Sequence, residues 1–444
     1  MRYHHRMLRH ILQKLLRWKD SELRKPLILR GARQVGKTYL LQHFAKAHYQ
    51  DWIYVNFDEK PLYASLFEAD LDPERILNEL SLQFKKPIIP GETLIIFDEI
   101  QECPNALNSL KYFCEKKNEY HIAAAGSLLG VKMNQGFPVG KVNFIDLKPL
   151  SFFEFLNALG ESALCEMLLG IEKPEAISVI FHEKLLQLLR YYFVVGGMPE
   201  VVSTFAKQRE LGFVREIQQA ILDAYALDFA KHAPREELHR IMAVWGLLPN
   251  QLARENKKFI FSAISKSARA RNYEAAIQWL VDAGVIIKTY NLSKPNLPLM
   301  AYASRNAFKV FALDVGLLGA MSELTPETIL QKDRLFTEFH GALTENYVAQ
   351  ELKNKLASEL YYWTSTGLAE VDFVIADQQT IYPLEVKAGV SKQKKSLLVY
   401  GEKYHDTAYA SPVLSRTTLR NFCLNGKILN YPLYAVALFP SLAD

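Results

Sequence analysis

"PLILRGARQVGKTYLLQHFAK", residues 26–46, decides how the chain is read. Pro26 to Arg30 is a short apolar run of strand type. Gly31, Ala32, Arg33, Gln34, Val35, Gly36, Lys37 and Thr38 follow, and then a helical pattern with Leu40, Leu41 and Phe44 on its inner face. The segment is strand, loop and helix, with G-x-x-x-x-G-K-T across the loop. Glycines let the backbone wrap closely, so that loop N–H groups and the helix N-terminus face phosphate oxygens. Lys37 has the reach for β- and γ-phosphates, and the Thr38 hydroxyl suits Mg²⁺. The spacing predicts an α/β domain in which Gly31 to Thr38 hold ATP.

A second apolar strand, "ETLIIFDEIQECP" at 92–104, ends in Asp98 and Glu99. Asp98 is placed to join Thr38 in holding Mg²⁺, and Glu99 to orient or deprotonate the attacking water. The pair also fits helix-capping acids. A third strand, "YHIAAAGSLLG" at 120–130, follows a helix near 104–117 and ends at Gly126-Ser127. Ligand contacts gather at the carboxyl ends of such strands, which makes Ser127 a candidate γ-phosphate sensor. A Gly-Ser at a strand end also reads as a turn alone.

In their order along the chain, "GARQVGKT", "DEIQ", "AGSLLG", "FPVGKVNFIDLKPLSFFEFL" and "VGGMPEVV" resemble the AAA+-related P-loop ATPases of bacteria and archaea that carry a C-terminal domain of unknown function. The resemblance covers almost the whole chain. It implies a P-loop NTPase core, ATP and Mg²⁺ as cofactors, and ATP hydrolysis. It also implies an arginine supplied by a neighbouring subunit or the lid. Arg215, Arg235, Arg269, Arg271 and Lys141 are the basic residues in view, and none sits in a pattern that assigns it.

The chain's 444 residues exceed one hydrophobic core, so two to four domains are expected. Residues 1–20 read as a basic amphipathic helix and 21–150 as the ATPase core. Residues 151–235 read as a helical lid, because "LSFFEFLNAL" and "EKLLQLLRYYFVVGG" are apolar at helical intervals. Residues 236–325 pass from helices into "VIIKTYNL", "NLPLMAY" and "FKVFALD", a pattern suited to a winged helix. Lys266, Arg269 and Arg271 open its third helix, where phosphate contacts are common, while Trp279, Leu280 and Val281 suit the core. DNA and a protein partner both remain open for this module.

Residues 326–444 hold "FHGALTENYVAQELKNKL" as a helix, then "LYYWTS", "EVDFVIA" and "IYPLEVKAG" as strands. Side chains two apart on a strand share a face, so Glu385 and Lys387 point together. Asp372 lies on the neighbouring strand, and Glu345 arrives from the helix. This order of acids and lysine resembles the PD-(D/E)xK nuclease core. The resemblance implies metal-assisted phosphodiester cleavage, with Glu345, Asp372 and Glu385 on the metal and Lys387 at the water. Lys392, Lys394 and Lys395 follow as backbone contacts. The same residues also suit the wet face of a hairpin, and such a fold also serves as a binding module.

Charge locates nothing further. The net +5 resides in the first 24 residues, where seven Lys/Arg oppose Asp20 and Glu22, and the rest of the chain is balanced. No apolar run reaches the length of a membrane span, so no membrane partner is expected. Cys103, Cys114, Cys165 and Cys423 are scattered, which argues against a disulfide framework or structural zinc. The N-terminus lacks the apolar region of a secretory signal, and a cytoplasmic protein is expected. A homo-oligomer or a protein partner is compatible with all of this.

Overall fold

The computed structural model describes residues 11–127, 140–253, 258–264, 269–330, 338–389 and 395–443. The chain divides into two compact units: Leu8–Lys148 with Asp282–Val285, and Pro149–Val281 with Ile286–Asp444.

The first unit opens with α1 (Ile11–Lys19), whose Leu15 and Trp18 are buried. The Trp18 indole donates to the Lys25 carbonyl at 2.8 Å. Then come β1 (Leu27–Arg30), α2 (Lys37–His48), β2 (Asp51–Asn56), α3 (Pro73–Phe84), β3 (Thr93–Asp98), α4 (Pro104–Lys116), β4 (His121–Gly126) and β5 (Asn143–Asp146). All five strands run parallel in the order β2-β3-β4-β1-β5. β3 and β4 are buried at every position, as expected of parallel strands covered on both faces. Ile28, Val55, Phe97, Ile122 and the helix residues Ile76, Leu110 and Phe113 form one core cluster. Parallel strands end on one edge of the sheet. That edge collects the loop after β1, the acids after β3 and Ser127 after β4.

The second unit begins with helices α5 (Phe152–Ala158), α6 (Ser162–Leu169), α7 (Val179–Val195), α8 (Pro199–Gln208), α9 (Val214–His232), α10 (Arg235–Gly246), α11 (Leu248–Leu252) and α12 (Ala270–Asp282). Ser151 and Glu154 form a reciprocal capping box at the start of α5. After β6 (Ile286–Leu292) and β7 (Ala303–Ala312) come α13 (Val315–Met321), α14 (Pro326–Leu330) and α15 (Glu338–Lys355). The chain ends with β8 (Leu360–Thr364), β9 (Glu370–Asp377), β10 (Thr380–Val386), α16 (Lys395–Tyr404), β11 (Leu414–Thr418), β12 (Cys423–Asn425) and β13 (Ile428–Pro432).

One sheet of eight strands carries this half, in the order β12-β13-β11-β10-β9-β8-β6-β7. β8, β9 and β10 form an antiparallel meander, while β11 joins β10 in parallel. β6 and β7 form an antiparallel pair, and β6 also bonds to β8 in parallel. The hairpin after α12 is therefore continuous with the C-terminal sheet. "NLPLMAY", expected as a strand, holds a short 3₁₀ turn at Leu299–Tyr302, and β7 starts only at Ala303. Pro298 lacks the N–H that a sheet ladder needs. Leu343, Tyr347, Val348 and Leu352 of α15 are buried, as their spacing predicts. Trp279 and Leu280 are core residues, and Arg269 and Arg271 are exposed. Lys266, Lys392 and Lys394 lie outside the described residues.

A buried polar seam runs through this unit. Asp314 caps α13, accepting from Leu317 N at 2.9 Å and from Gly197 N at 2.6 Å. Glu351 of α15 accepts from Phe152 N at 2.9 Å. The Arg215 guanidinium donates to the carbonyls of Leu324 (2.8 Å) and Gly316 (3.2 Å), which gives it a structural use within this unit.

Candidate functional site

The loop between β1 and α2 is shaped by its glycines. Gly31 has φ +153°, and a Cβ there would collide with the Leu147 carbonyl oxygen. Gly36, at φ +92°, precedes α2, and no side chain caps that helix. The N-terminus of a helix attracts an anion through its backbone N–H groups and its dipole. Ala32 and Val35 are buried and pin the loop to the core, while Arg33 is half-buried and Gln34 exposed at φ +63°. Lys37 is buried, and its ammonium donates to the loop carbonyls of Gly31 (3.0 Å) and Ala32 (2.8 Å).

Asp98, at the end of β3, is the hub opposite the loop. One carboxylate oxygen accepts from the Thr38 hydroxyl at 2.7 Å and from the Tyr54 phenol at 2.8 Å. The other accepts from Glu99 N at 3.0 Å. Burial, and then the bond to Asp98, push the Tyr54 phenol well above its usual range. Thr38 and Asp98 thus put a hydroxyl and a carboxylate side by side. These are hard oxygen ligands of the kind Mg²⁺ takes, and the residues present fit that ion. Glu99 stands in the left-handed region at φ +48°, and the Gln101 amide holds its carboxylate. Such backbone is uncommon outside glycine and clusters at functional positions. Ser127 is buried directly after Gly126, which pairs with Arg30 in the sheet, so Ser127 is level with Gly31. Lys141 is paired with Glu115 at 3.0 Å.

Tyr54 and Gln101 escaped the sequence reading. Gln101 stands in the quoted "DEIQ", two residues past Glu99, and was legible. Tyr54 had no signal before its strand was paired with β3.

The second unit gathers the residues of the C-terminal motif. Asp372 is buried on β9, and one of its oxygens accepts from Val386 N of β10 at 2.7 Å. Lys387, just past β10, lies 3.1 Å from Glu385. Glu345 of α15 lies 3.8 Å from a cation that the motif does not contain, Lys309 of β7. The Lys309 ammonium is fully buried, pairs with Glu370 and stands 3.9 Å from Asp372. Burial and the Glu345 charge push Asp372 up to about 7, against the pull of Lys309 and Lys387. Nearby carboxylates hold Lys387 above its usual value despite its burial. Lys395 is exposed at the start of α16. Among the described residues, no group of three or more His, Cys, Asp or Glu is arranged to hold a metal ion. Glu370 stands two residues before Asp372 on one strand face and was legible.

Comparison with known proteins follows the same division. Residues 23–156 match the AAA domain family. Residues 186–328 and 340–435 match two domains of unknown function, DUF8612 and DUF4143. No curated protein matches the chain. Among solved structures, the Walker-type ATPase of Pyrococcus abyssi is similar at 15% identity and a TM-score of 0.44, covering 70% of this chain and 94% of that one. The ORC1 protein of Aeropyrum pernix, solved with DNA, is similar at 13% identity and a TM-score of 0.28, covering 73% and 93%. The RuvB Holliday junction branch migration motor of Thermotoga maritima gives 13%, 0.28, and 64% and 90%. Among the described residues, no helix is long and apolar enough to cross a membrane.

Proposed function

We propose that this chain is a Mg²⁺-dependent ATPase that acts on DNA and carries a nuclease-like C-terminal domain. The observation that carries the ATPase reading is the Thr38–Asp98 contact of 2.7 Å, beside an uncapped helix N-terminus and a buried lysine. Loop N–H groups and Lys37 take the phosphates, and Lys37 exchanges its two loop carbonyls for phosphate oxygens as it does so. Thr38 and Asp98 hold Mg²⁺, which supplies charge neutralisation on the β- and γ-phosphates. Glu99 accepts a proton from the attacking water, and Ser127 faces the γ-phosphate. In this reading residues 151–235 are a lid and 236–325 a winged helix, with Arg269 and Arg271 on DNA phosphates. An arginine from a neighbouring subunit or the lid completes the site, and an oligomer or a protein partner is compatible with it.

ATP turnover by the full chain tests the core. Glu99→Gln is expected to bind ATP normally and to hydrolyse it about 10²- to 10⁴-fold more slowly. Lys37→Ala is expected to lose nucleotide affinity. Wild-type turnover by Glu99→Gln, or unchanged affinity in Lys37→Ala, would overturn the assignment.

The gathering of Glu345, Asp372, Glu385 and Lys387 supports the nuclease-like reading. Its test is cleavage of single-stranded, duplex and branched DNA with Mg²⁺ or Mn²⁺, with and without ATP, in wild type and Lys387→Ala. The buried Lys309 among the carboxylates favours a second reading, a regulatory ATPase switch whose C-terminal domains bind a protein or nucleic acid without cutting. Protein that binds ATP and cleaves no substrate would select that reading.

A further inference from the structure

Arg416 of β11 is 3% exposed, and its Nε and Nη1 have no hydrogen-bond partner among the described residues. Guanidinium groups stay charged in proteins, so a buried one without a partner bears the full cost of desolvation. A bound anion removes that cost, and the guanidinium fork matches two oxygens of a phosphate at once. The sheet register places this residue. In the parallel ladders Arg416 stands opposite Glu385 of β10 and Asn430 of β13. Asn430 is engaged elsewhere: it donates to the Arg420 and Asn421 carbonyls at 3.2 and 3.1 Å and accepts from the Thr418 hydroxyl at 2.9 Å. Glu385 gives one oxygen to Lys387 at 3.1 Å, and the other is buried without a hydrogen-bond partner, so it does not take the Arg416 hydrogens.

The same face of the sheet floors a cavity. Pro383, Leu414 and Ile428 stand two positions before Glu385, Arg416 and Asn430 on their strands, and all three line a cavity of about 620 Å³. Tyr400 and Tyr404 of α16 form part of its wall, with Asn425 and Lys427 at the β12–β13 turn. Small-molecule sites are of this kind, about 300–1,000 Å³, largely apolar and aromatic with a few polar groups. Strand periodicity puts Arg416 on the cavity's side of the sheet, one row past its floor, a step of about 7 Å along the strand.

We propose that Arg416 holds the phosphate of a phosphate monoester whose planar, weakly polar body lies in this cavity, as a nucleotide would present it. Two phosphate oxygens accept from Nε and Nη1. A monoester phosphate projects far enough to reach a buried guanidinium, whereas an internal phosphodiester is flanked by sugars on both sides. A free nucleotide and the phosphorylated end of a strand share this chemistry. The site needs no cleavage, and only its strand-end form rests on the DNA-acting reading.

The test is calorimetric titration of the full-length, nucleotide-free protein, without metal. The probes are inorganic phosphate, thymidine 5′-monophosphate, and oligothymidylate with and without a 5′-phosphate. The nucleotide loop is the same in every variant, so it drops out of the comparison. Wild type is expected to bind thymidine 5′-monophosphate more tightly than inorganic phosphate, because the cavity takes the nucleoside. Arg416→Met is expected to lose that affinity about tenfold or more. Arg416→Lys, which keeps the charge without the fork, is expected to lose part of it. If Arg416→Met fails to fold, Arg416→Gln serves in its place. A 5′-phosphate that tightens oligothymidylate binding in wild type and not in the neutral variant makes the strand end the source. Arg416-dependent binding of thymidine 5′-monophosphate alone makes it a free nucleotide, and the site then stands without the DNA-acting reading. Equal affinity in wild type and the neutral variant would overturn the proposal, and a lowered melting temperature beside it would make Arg416 a structural residue. Equal affinity of wild type for inorganic phosphate and thymidine 5′-monophosphate would overturn it as well.

Discussion

The Tyr54 phenol donates at 2.8 Å to the same Asp98 oxygen that accepts from Thr38. Tyr54 therefore positions the carboxylate without belonging to either nucleotide motif. Asn56 in turn donates to the phenol oxygen at 3.1 Å, which fixes the ring's hydroxyl. Outer partners of a metal-site carboxylate commonly matter about as much as tenfold or more in metal affinity. Tyr54→Phe is expected to raise the Mg²⁺ concentration for half-maximal ATP hydrolysis by about tenfold. A Mg²⁺ titration of turnover checks this. An unchanged midpoint would mean that Thr38 and the Glu99 N–H hold Asp98 without the phenol.

Gly31 has no room for a side chain, because a Cβ would meet the Leu147 carbonyl. Gly31→Ala is expected to displace the loop and to abolish ATP binding measured by calorimetry. Retained affinity would show that the loop tolerates the shift.

Gly197 offers a test in the second unit. A Cβ there would collide with the Leu150 carbonyl, whose own N–H donates to Gly197 O at 2.7 Å. Gly197→Ala is expected to cost about 3 kcal/mol or more in denaturant unfolding. Gly212→Ala, where an added Cβ meets nothing within 4 Å, is expected to stay within about 0.5 kcal/mol of wild type.

Glu351 makes stability depend on pH. Burial pushes its carboxyl up to about 8 from an ordinary 4.5, with Glu154 adding in the same direction and the bond from Phe152 N opposing. Between those two values the folded chain holds a proton that the unfolded chain has released. Stability is therefore greatest at the acidic end of that window and falls as pH rises through it, by at most about 1.4 kcal/mol per pH unit. Glu351→Gln keeps an acceptor for Phe152 N and is expected to flatten the melting temperature between pH 5 and pH 8, values that bracket most of this window. An unchanged slope in the variant would assign the pH dependence to other groups.

The nucleotide loop was legible because its chemistry is contiguous. Gly31 to Thr38 lie in one run between a strand pattern and a helix pattern, and Asp98 and Glu99 close another strand. The spacing of Asp372, Glu385 and Lys387 was legible for a similar reason: strand periodicity places alternate side chains on one face. The later strands β11, β12 and β13 left no such signal in the reading, since they are short and β11 and β13 are buried at nearly every position.

The sequence by itself determined the strand, loop and helix around Gly31 to Thr38 and the apolar strand that ends in Asp98, because backbone conformation and hydrophobic period act over a few residues. Only the tertiary structure decided that Tyr54 reaches Asp98, since that depends on β2 pairing with β3 so that Asn56 stands opposite Asp98. It also decided that Lys309 sits among Glu345, Glu370 and Asp372, through the sheet order β7-β6-β8-β9. Strand order and register are set by burial summed over the whole unit, and no local pattern encodes them.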